Sequence, residues 1–269
     1  MAATAPLDAT GLRRLAARIR LDATRMVAIQ RLGYLCQAMS SAEIFAVLYG
    51  SVMRAGHDRF ILSPGHYTIC VYAAAAETGQ IDPAKLVTYG KDASDLEAIG
   101  TERTPVVDLV NGSLGQGLSA AIGFALAAKF AKEDRHTFAF LSDGELEEGQ
   151  VWEAAMFAGH HRVDGLTVVI DANNSQVDGP VASITSIEPL GDKWRAFGWR
   201  VIELNGHDIP ALVAAFNSRG DGARPLAIIA RTKITGGLRA FPPSTDTHFV
   251  KLDKDLETAI VSELEAALA

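Results

Sequence analysis

The chain has 269 residues, 48% hydrophobic and 21% charged, which is too apolar for disorder and long enough to bury a core in one large domain or two small ones. Lys and Arg number 25 against 32 Asp and Glu, so with a net charge of −7 the average surface repels a phosphate backbone, and nucleic acid is not an expected partner. Met1–Asp8 shows no basic cluster followed by an apolar run, no stretch of ~18 uninterrupted apolar residues follows, and Cys36 and Cys70 form no CxxC pair; a cytoplasmic protein without a membrane segment is expected.

In chain order, Leu12, Leu15, Ala16, Ile19, Met26, Val27 and Ile29 recur at helical spacing and predict an amphipathic helix from Ala9 to about Gln30. A second helix is predicted over Ser41–Met53, capped by Ser40-Ser41, then a short buried strand at Phe60-Ile61-Leu62 and a helix after Gly65-His66. The second half alternates: helices at Gln116–Lys132, Glu148–His161, Asp192–Phe197, Ile209–Ser218 and Leu252–Leu268, strands at His136–Leu141, Leu166–Ala172, Trp199–Leu204 and Pro225–Arg231. Such alternation implies βαβ units, so the expected class is α/β, a mostly parallel sheet with helices on both faces, whose ligands bind at the carboxyl ends of the strands. Two stretches, Thr88–Asp108 and Ile234–Thr247, read as loops; the second is long for a compact domain and is expected to serve the site.

Chemistry concentrates at two strand ends. Asp143 follows the strand His136–Leu141 and precedes Gly144, which lets backbone approach a ligand; thirty residues on, the next strand ends in Asp171-Ala172-Asn173-Asn174. An Asp, an Asn and a backbone carbonyl form a hard-oxygen set suited to Mg²⁺ or Ca²⁺ that also holds diphosphate oxygens. Gly112, Gly115 and Gly117 open the helix near Gln116, where free N–H groups favour an anion, although the run lacks the GxGxxG spacing of a dinucleotide site.

Ser142-Asp143-Gly144-Glu145, Glu148-Gly149, Trp152-Glu153-Ala154 and Asn173 together resemble the thiamine-diphosphate signature of transketolases, with Ser142 in place of the first Gly. Asp58–His66, Asn111–Leu118, Ile187–Trp199, Gly206-His207-Asp208 and His248 extend the resemblance over about Met26–His248. It implies the diphosphate-domain fold as one domain over 1–269 with an N-terminal helical extension, Mg²⁺ (replaceable by Ca²⁺ or Mn²⁺) on Asp143, Asn173 and the Ser175 carbonyl, and thiamine diphosphate against His66, Gly112, Ser113, Leu114, Gly115, Asp143, Gly144, Glu145 and Asn173. Catalytic roles are implied for His66 and His248, and a carboxylate chain at a subunit interface for Glu148 and Glu153, although five residues apart on a helix these two do not share a face.

Two family histidines are missing: Tyr34 stands in the Gly-His segment, and Ala98-Ile99 where a Gly-His turn is usual. Tyr34 titrates near ~10 and shuttles protons poorly at neutral pH, so a less hydroxylated donor than a ketose phosphate, such as a 2-oxo acid, suits this site. The family's pyrimidine-binding domain and its catalytic Glu find no match before Ala269. The resemblance therefore implies a split enzyme, an α2β2 assembly with a second subunit, that transfers a two-carbon unit from a ketose or 2-oxo acid to an aldehyde or ketone. The alternatives are a decarboxylating 2-oxo-acid acyl transferase subunit and a non-catalytic scaffold subunit.

Overall fold

The structure is a computed structural model that describes residues 5–268 except Asp221; Met1–Thr4 and Ala269, at the bounds of the expected domain, lie outside the described residues. Helix α1 spans Ala9–Gln30, its first turn closed by the Asp8 carboxylate accepting from Gly11 N–H at 2.7 Å. After the two-residue strand β1, Leu32–Gly33, helix α2 spans Leu35–Val47 and continues through a π turn to Val52. This corrects the predicted start at Ser41. Ser40 and Ser41 are interior: the Ser41 hydroxyl back-bonds to the Gln37 carbonyl at 2.5 Å, and the Ser40 hydroxyl leaves the helix for Asp171 at 2.6 Å.

The remaining elements follow the expected order. They are β2 (Arg59–Pro64), a 3₁₀ turn at Gly65–Tyr67, α3 (Thr68–Glu77), β3 (Leu109–Asn111), α4 (Gly117–Ala131), β4 (Thr137–Ser142), α5 (Gly149–His160) and β5 (Leu166–Ala172). Then come α6 (Val181–Ile184), α7 (Leu190–Ala196), β6 (Arg200–Asn205), α8 (Ile209–Asn217), β7 (Leu226–Arg231), β8 (Val250–Lys251) and α9 (Lys254–Leu268). Strands β1, β3 and β8 and helix α6 are additions to the sequence prediction.

Among the described residues six strands form one sheet in the order β3-β2-β4-β5-β7-β6, every pair parallel, while β1 and β8 pair antiparallel outside it. Alternate residues feed two cores: Phe138 and Phe140 of β4 pack with α1, α2, α3 and α8, and Ala139 and Leu141 pack with α4, α5 and α7. The helix Leu35–Val52 is long and apolar enough to cross a membrane, but here it lies largely buried in the first of these cores. The chain runs from β2 to β3 on one side and from β4 to β5 on the other. The crevice at the carboxyl ends of β2 and β4 is thus the topological switch point at which ligands bind in such sheets.

Candidate functional site

Strand β4 delivers Asp143 to that crevice, 3% exposed. One carboxylate oxygen accepts from Gly144 N–H at 2.9 Å and the other from Asn174 N–H at 2.5 Å. Gly144 makes the second contact possible: a Cβ there would stand 2.9 Å from Gln176 Cβ, so any larger residue would push the turn after β5 away from the carboxylate. Asn174 adopts φ +59°, the left-handed conformation that reverses the chain at this turn. Burial, followed by the charge of Asp171, pushes the Asp143 carboxyl up to about 7.

Asp171, at the end of β5, is fully buried and organises the neighbouring groups. One oxygen accepts from Ser40 (2.6 Å), Tyr67 (3.0 Å) and Asn173 Nδ2 (2.9 Å), and the other from Thr232 at 2.5 Å. Because Asn173 Nδ2 points to Asp171 and Tyr67, Asn173 Oδ1 faces the other way, where it accepts from Ser175 N–H at 2.9 Å. Asp143, Asn173 and Ser175 are therefore brought together by one tight turn. Their oxygens suit a hard divalent cation, and the buried Asp143 carboxylate, answered among the described residues by two amides and no cationic side chain, is the charge such an ion would balance.

The glycine-rich loop behaves differently from expectation. Gly115 N–H donates to Glu145 Oε1 at 2.8 Å and Gly117 N–H to Ser63 Oγ at 3.0 Å, so these two amides are already occupied and are not an open anion nest. Ser63 also donates to Glu145 Oε1, which ties the ends of β2 and β4 to the start of α4. Glu145 is wholly buried, with Oε2 unpartnered, and burial pushes its carboxyl up to about 7. Gly112 and Ser113 stay exposed and Leu114 half-buried; beside them opens a cleft of about 490 Å³ that Asn111, Gly112, Ser113 and Thr101 help to line.

His66 sits on the 3₁₀ turn after β2 within a cluster of rings, 5.3 Å from Tyr34, 5.0 Å from Tyr67 and 5.4 Å from His248. Tyr34 also meets His248 (5.7 Å) and Phe249 (4.9 Å), because pairing of β1 with β8 brings Gly33 opposite Val250. Burial lowers both imidazoles, His66 to about 3, with the neighbouring His248 adding to the effect. Both are neutral at pH 7, so each offers one donor and one acceptor and no fixed charge. Tyr67 joins this cluster to the Asp171–Asn173 network.

Glu148 and Glu153 are not brought together as a buried pair: Glu148 precedes α5, Glu153 lies five residues on, and both are exposed. From the sequence, Ser40 reads as a helix cap and Asp171 as part of a strand end, and nothing marks Tyr67 or Thr232. The available signal is a carboxylate closing the apolar run Val168–Ile170.

The profile of the family described as "Transketolase, thiamine diphosphate binding domain" matches residues 12–264. The chain is 41% identical over 249 residues to a putative uncharacterized transketolase family protein, y4mO, of Sinorhizobium fredii, covering 88% of this chain and 89% of that one. It is 37% identical over 244 residues to the 6-deoxy-6-sulfo-D-fructose transketolase subunit SqwG of Clostridium sp. strain MSTE9, covering 87% and 88%. The crystal structure of transketolase from Campylobacter jejuni superposes with a TM-score of 0.88 at 25% identity, covering 96% of this chain but 43% of that one.

Proposed function

This chain belongs to the transketolase thiamine-diphosphate-binding domain family, and from that premise we propose that it is the diphosphate- and Mg²⁺-binding subunit of a two-component, cytoplasmic transketolase-like enzyme. The observation that carries this reading is the Asp143 carboxylate, buried and clamped by two backbone amides beside Asn173 and Ser175. A second subunit would bring the pyrimidine-binding domain and its Glu, in an α2β2 assembly. Support comes from the two relatives of matching length, one of them named a subunit, whereas the chain spans under half of the C. jejuni transketolase.

In this reading Asp143, Asn173 Oδ1 and the Ser175 carbonyl hold the cation. Asp171 fixes the amide of Asn173, and Glu145 with Ser63 fixes the loop that carries Leu114. Thiamine diphosphate, when bound, supplies the carbanion chemistry by which a two-carbon unit passes from donor to acceptor. His66 and His248, held neutral, hydrogen-bond substrate oxygens. The proposed interface role of Glu148 and Glu153 fits their exposure.

For the donor, the cluster of Tyr34, His66, His248 and Phe249 favours the less hydroxylated class. Aromatic walls reward apolar surface, and with Tyr34 and Ala98-Ile99 where the family has histidines, a polyol finds fewer hydrogen-bond partners here. A 2-oxo acid such as pyruvate would lose its carboxylate as CO₂ and pass the remaining two-carbon unit to an aldehyde or ketone. Assay of the assembled enzyme with pyruvate and with xylulose 5-phosphate decides the donor: CO₂ release with pyruvate supports this class, and turnover of the ketose phosphate alone removes it. Loss of Mg²⁺-dependent thiamine diphosphate binding in Asp143→Ala tests the cofactor assignment itself.

A further inference from the structure

The Gly206-His207-Asp208 motif hydrogen-bonds to neither the Asp143 turn nor the ring cluster. Asp208 caps α8, accepting from Ala211 N–H at 3.1 Å. His207 faces the other way, into a buried charge pair. Arg20 of α1, 7% exposed, donates to both oxygens of Glu43 at 2.7 and 2.6 Å and twice to the Met39 carbonyl, at 3.0 and 2.8 Å. His207 Nδ1 lies 3.0 Å from Glu43 Oε2, and Lys233 N–H donates to His207 Nε2 at 2.9 Å. Since Nε2 accepts, Nδ1 carries the proton and donates to Glu43, so a single tautomer satisfies both contacts.

Lys233 immediately precedes the long segment Ile234–Thr247, which leads to His248 and follows the same network. Gly206 leaves room for Thr232: a Cβ at 206 would stand 2.4 Å from Thr232 Cγ2. Gly236, at φ +64°, lies flush on α2, and a Cβ there would stand 2.5 Å from the Met39 carbonyl and 3.0 Å from Arg20 Nε. At the far end Gln37 Nε2 donates to the His248 carbonyl at 3.2 Å. The segment is thus held at its start by His207, lies close against Arg20 and Met39 at Gly236, is tied in its middle by Arg239 and Ala240 N–H donating to the Glu263 carboxylate of α9, and is held at its end by Gln37.

We propose that His207, backed by Glu43 and Arg20, is a positioning residue that seats Thr232–His248 on α2 and thereby sets where His248 stands. The proposal rests on the reading that His248 meets the substrate. Its reach is long: a buried pair between α1 and α2 governs a side chain more than two hundred residues away in sequence.

The test compares the wild type with His207→Phe, Gly236→Ala and Gly237→Ala. Gly237, at φ +81°, has open space where a Cβ would go, so its variant carries the same backbone strain as Gly236→Ala without the collision. Removal of Glu43 is avoided because it would leave Arg20 buried and unpaired. By hydrogen exchange on the full chain, amides 233–250 should exchange about tenfold faster in His207→Phe and Gly236→Ala, and within about threefold of wild type in Gly237→Ala. In the assembled enzyme the first two should raise donor KM about fivefold or more, with kcat and thiamine diphosphate affinity within about twofold. Unchanged exchange in His207→Phe, or equal exchange in the two glycine variants, overturns the seat. Faster exchange with unchanged donor KM overturns its link to His248. A His248→Ala variant with unaltered donor KM would instead remove the underlying reading while leaving the exchange result intact.

Discussion

The two ends of the sheet each bury an aspartate and treat it in opposite ways. At the amino end, Asp58 is 4% exposed and accepts from the Arg54 guanidinium at 2.7 Å, Arg54 N–H at 2.9 Å and His136 N–H at 3.0 Å. These bonds hold its carboxyl below the ordinary range despite burial. At the carboxyl end, Asp143 is equally buried yet has amides alone, and its carboxyl is raised to about 7. One aspartate is completed within the chain and serves the fold. The other has no cationic side chain beside it among the described residues at the switch point of the sheet, which suits a cation-binding site.

The largest effects should separate the two aspartates. Asp143→Ala should weaken Mg²⁺-dependent thiamine diphosphate binding by about a hundredfold or more while moving the metal-free melting temperature by only a few degrees, because loss of a buried acid without a cationic partner offsets the Gly144 and Asn174 amides it orphans. Asp58→Ala should do the reverse, costing about 2–3 kcal/mol of stability through its orphaned donors, read as a drop of roughly 5–10 °C, with cofactor affinity preserved. Calorimetry and thermal melts on both variants measure the contrast.

A smaller effect is a pair of opposed pH slopes. Burial, followed by the charge of Arg219, lowers the His136 imidazole to about 4. The unfolded chain therefore takes up that proton first, and the stability His136 contributes above pH ~6.5 is lost as pH falls toward 4. Asp143 runs the other way: its raised pKa favours the neutral acid, so its contribution is full below ~3.9 and is lost as pH rises through about 7 when metal is absent. Melts in chelator from pH 4.5 to 8 should show His136→Gln stabilising only the acid side and Asp143→Asn only the alkaline side. Coincident shifts across the range would contradict the assignment of these slopes. The smallest effect expected is at the rim: Tyr34→His should improve use of ketose phosphates relative to 2-oxo acids by about tenfold or less, read from the ratio of kcat/KM values.

The amino end and the frame of the sheet were largely legible in the sequence, because short apolar runs such as Phe138–Leu141 and helical spacing in Ala9–Gln30 are local patterns. What escaped was decided at a distance. Ser40-Ser41 has the chemistry of a helix cap, but Ser40 serves Asp171, 131 residues away, and the helix passes through it. Gly115 and Gly117 look like free helix-start amides until Glu145 and Ser63, 30 and 54 residues off, are seen to occupy them. Strand β3 has three half-buried residues and too little pattern to declare itself. The pairing of Asp143 with Asn173 could be read from its spacing and family resemblance; the role of Asp171 in aiming the Asn173 amide required the folded chain.

The central claim is that the turns after β4 and β5 form a cation-dependent diphosphate cradle. Its most direct test is titration of thiamine diphosphate into the assembled wild-type enzyme, with Mg²⁺ and with chelator. The account predicts saturable binding that needs Mg²⁺ and falls by about a hundredfold or more in its absence. Equal affinity with and without the metal would contradict it.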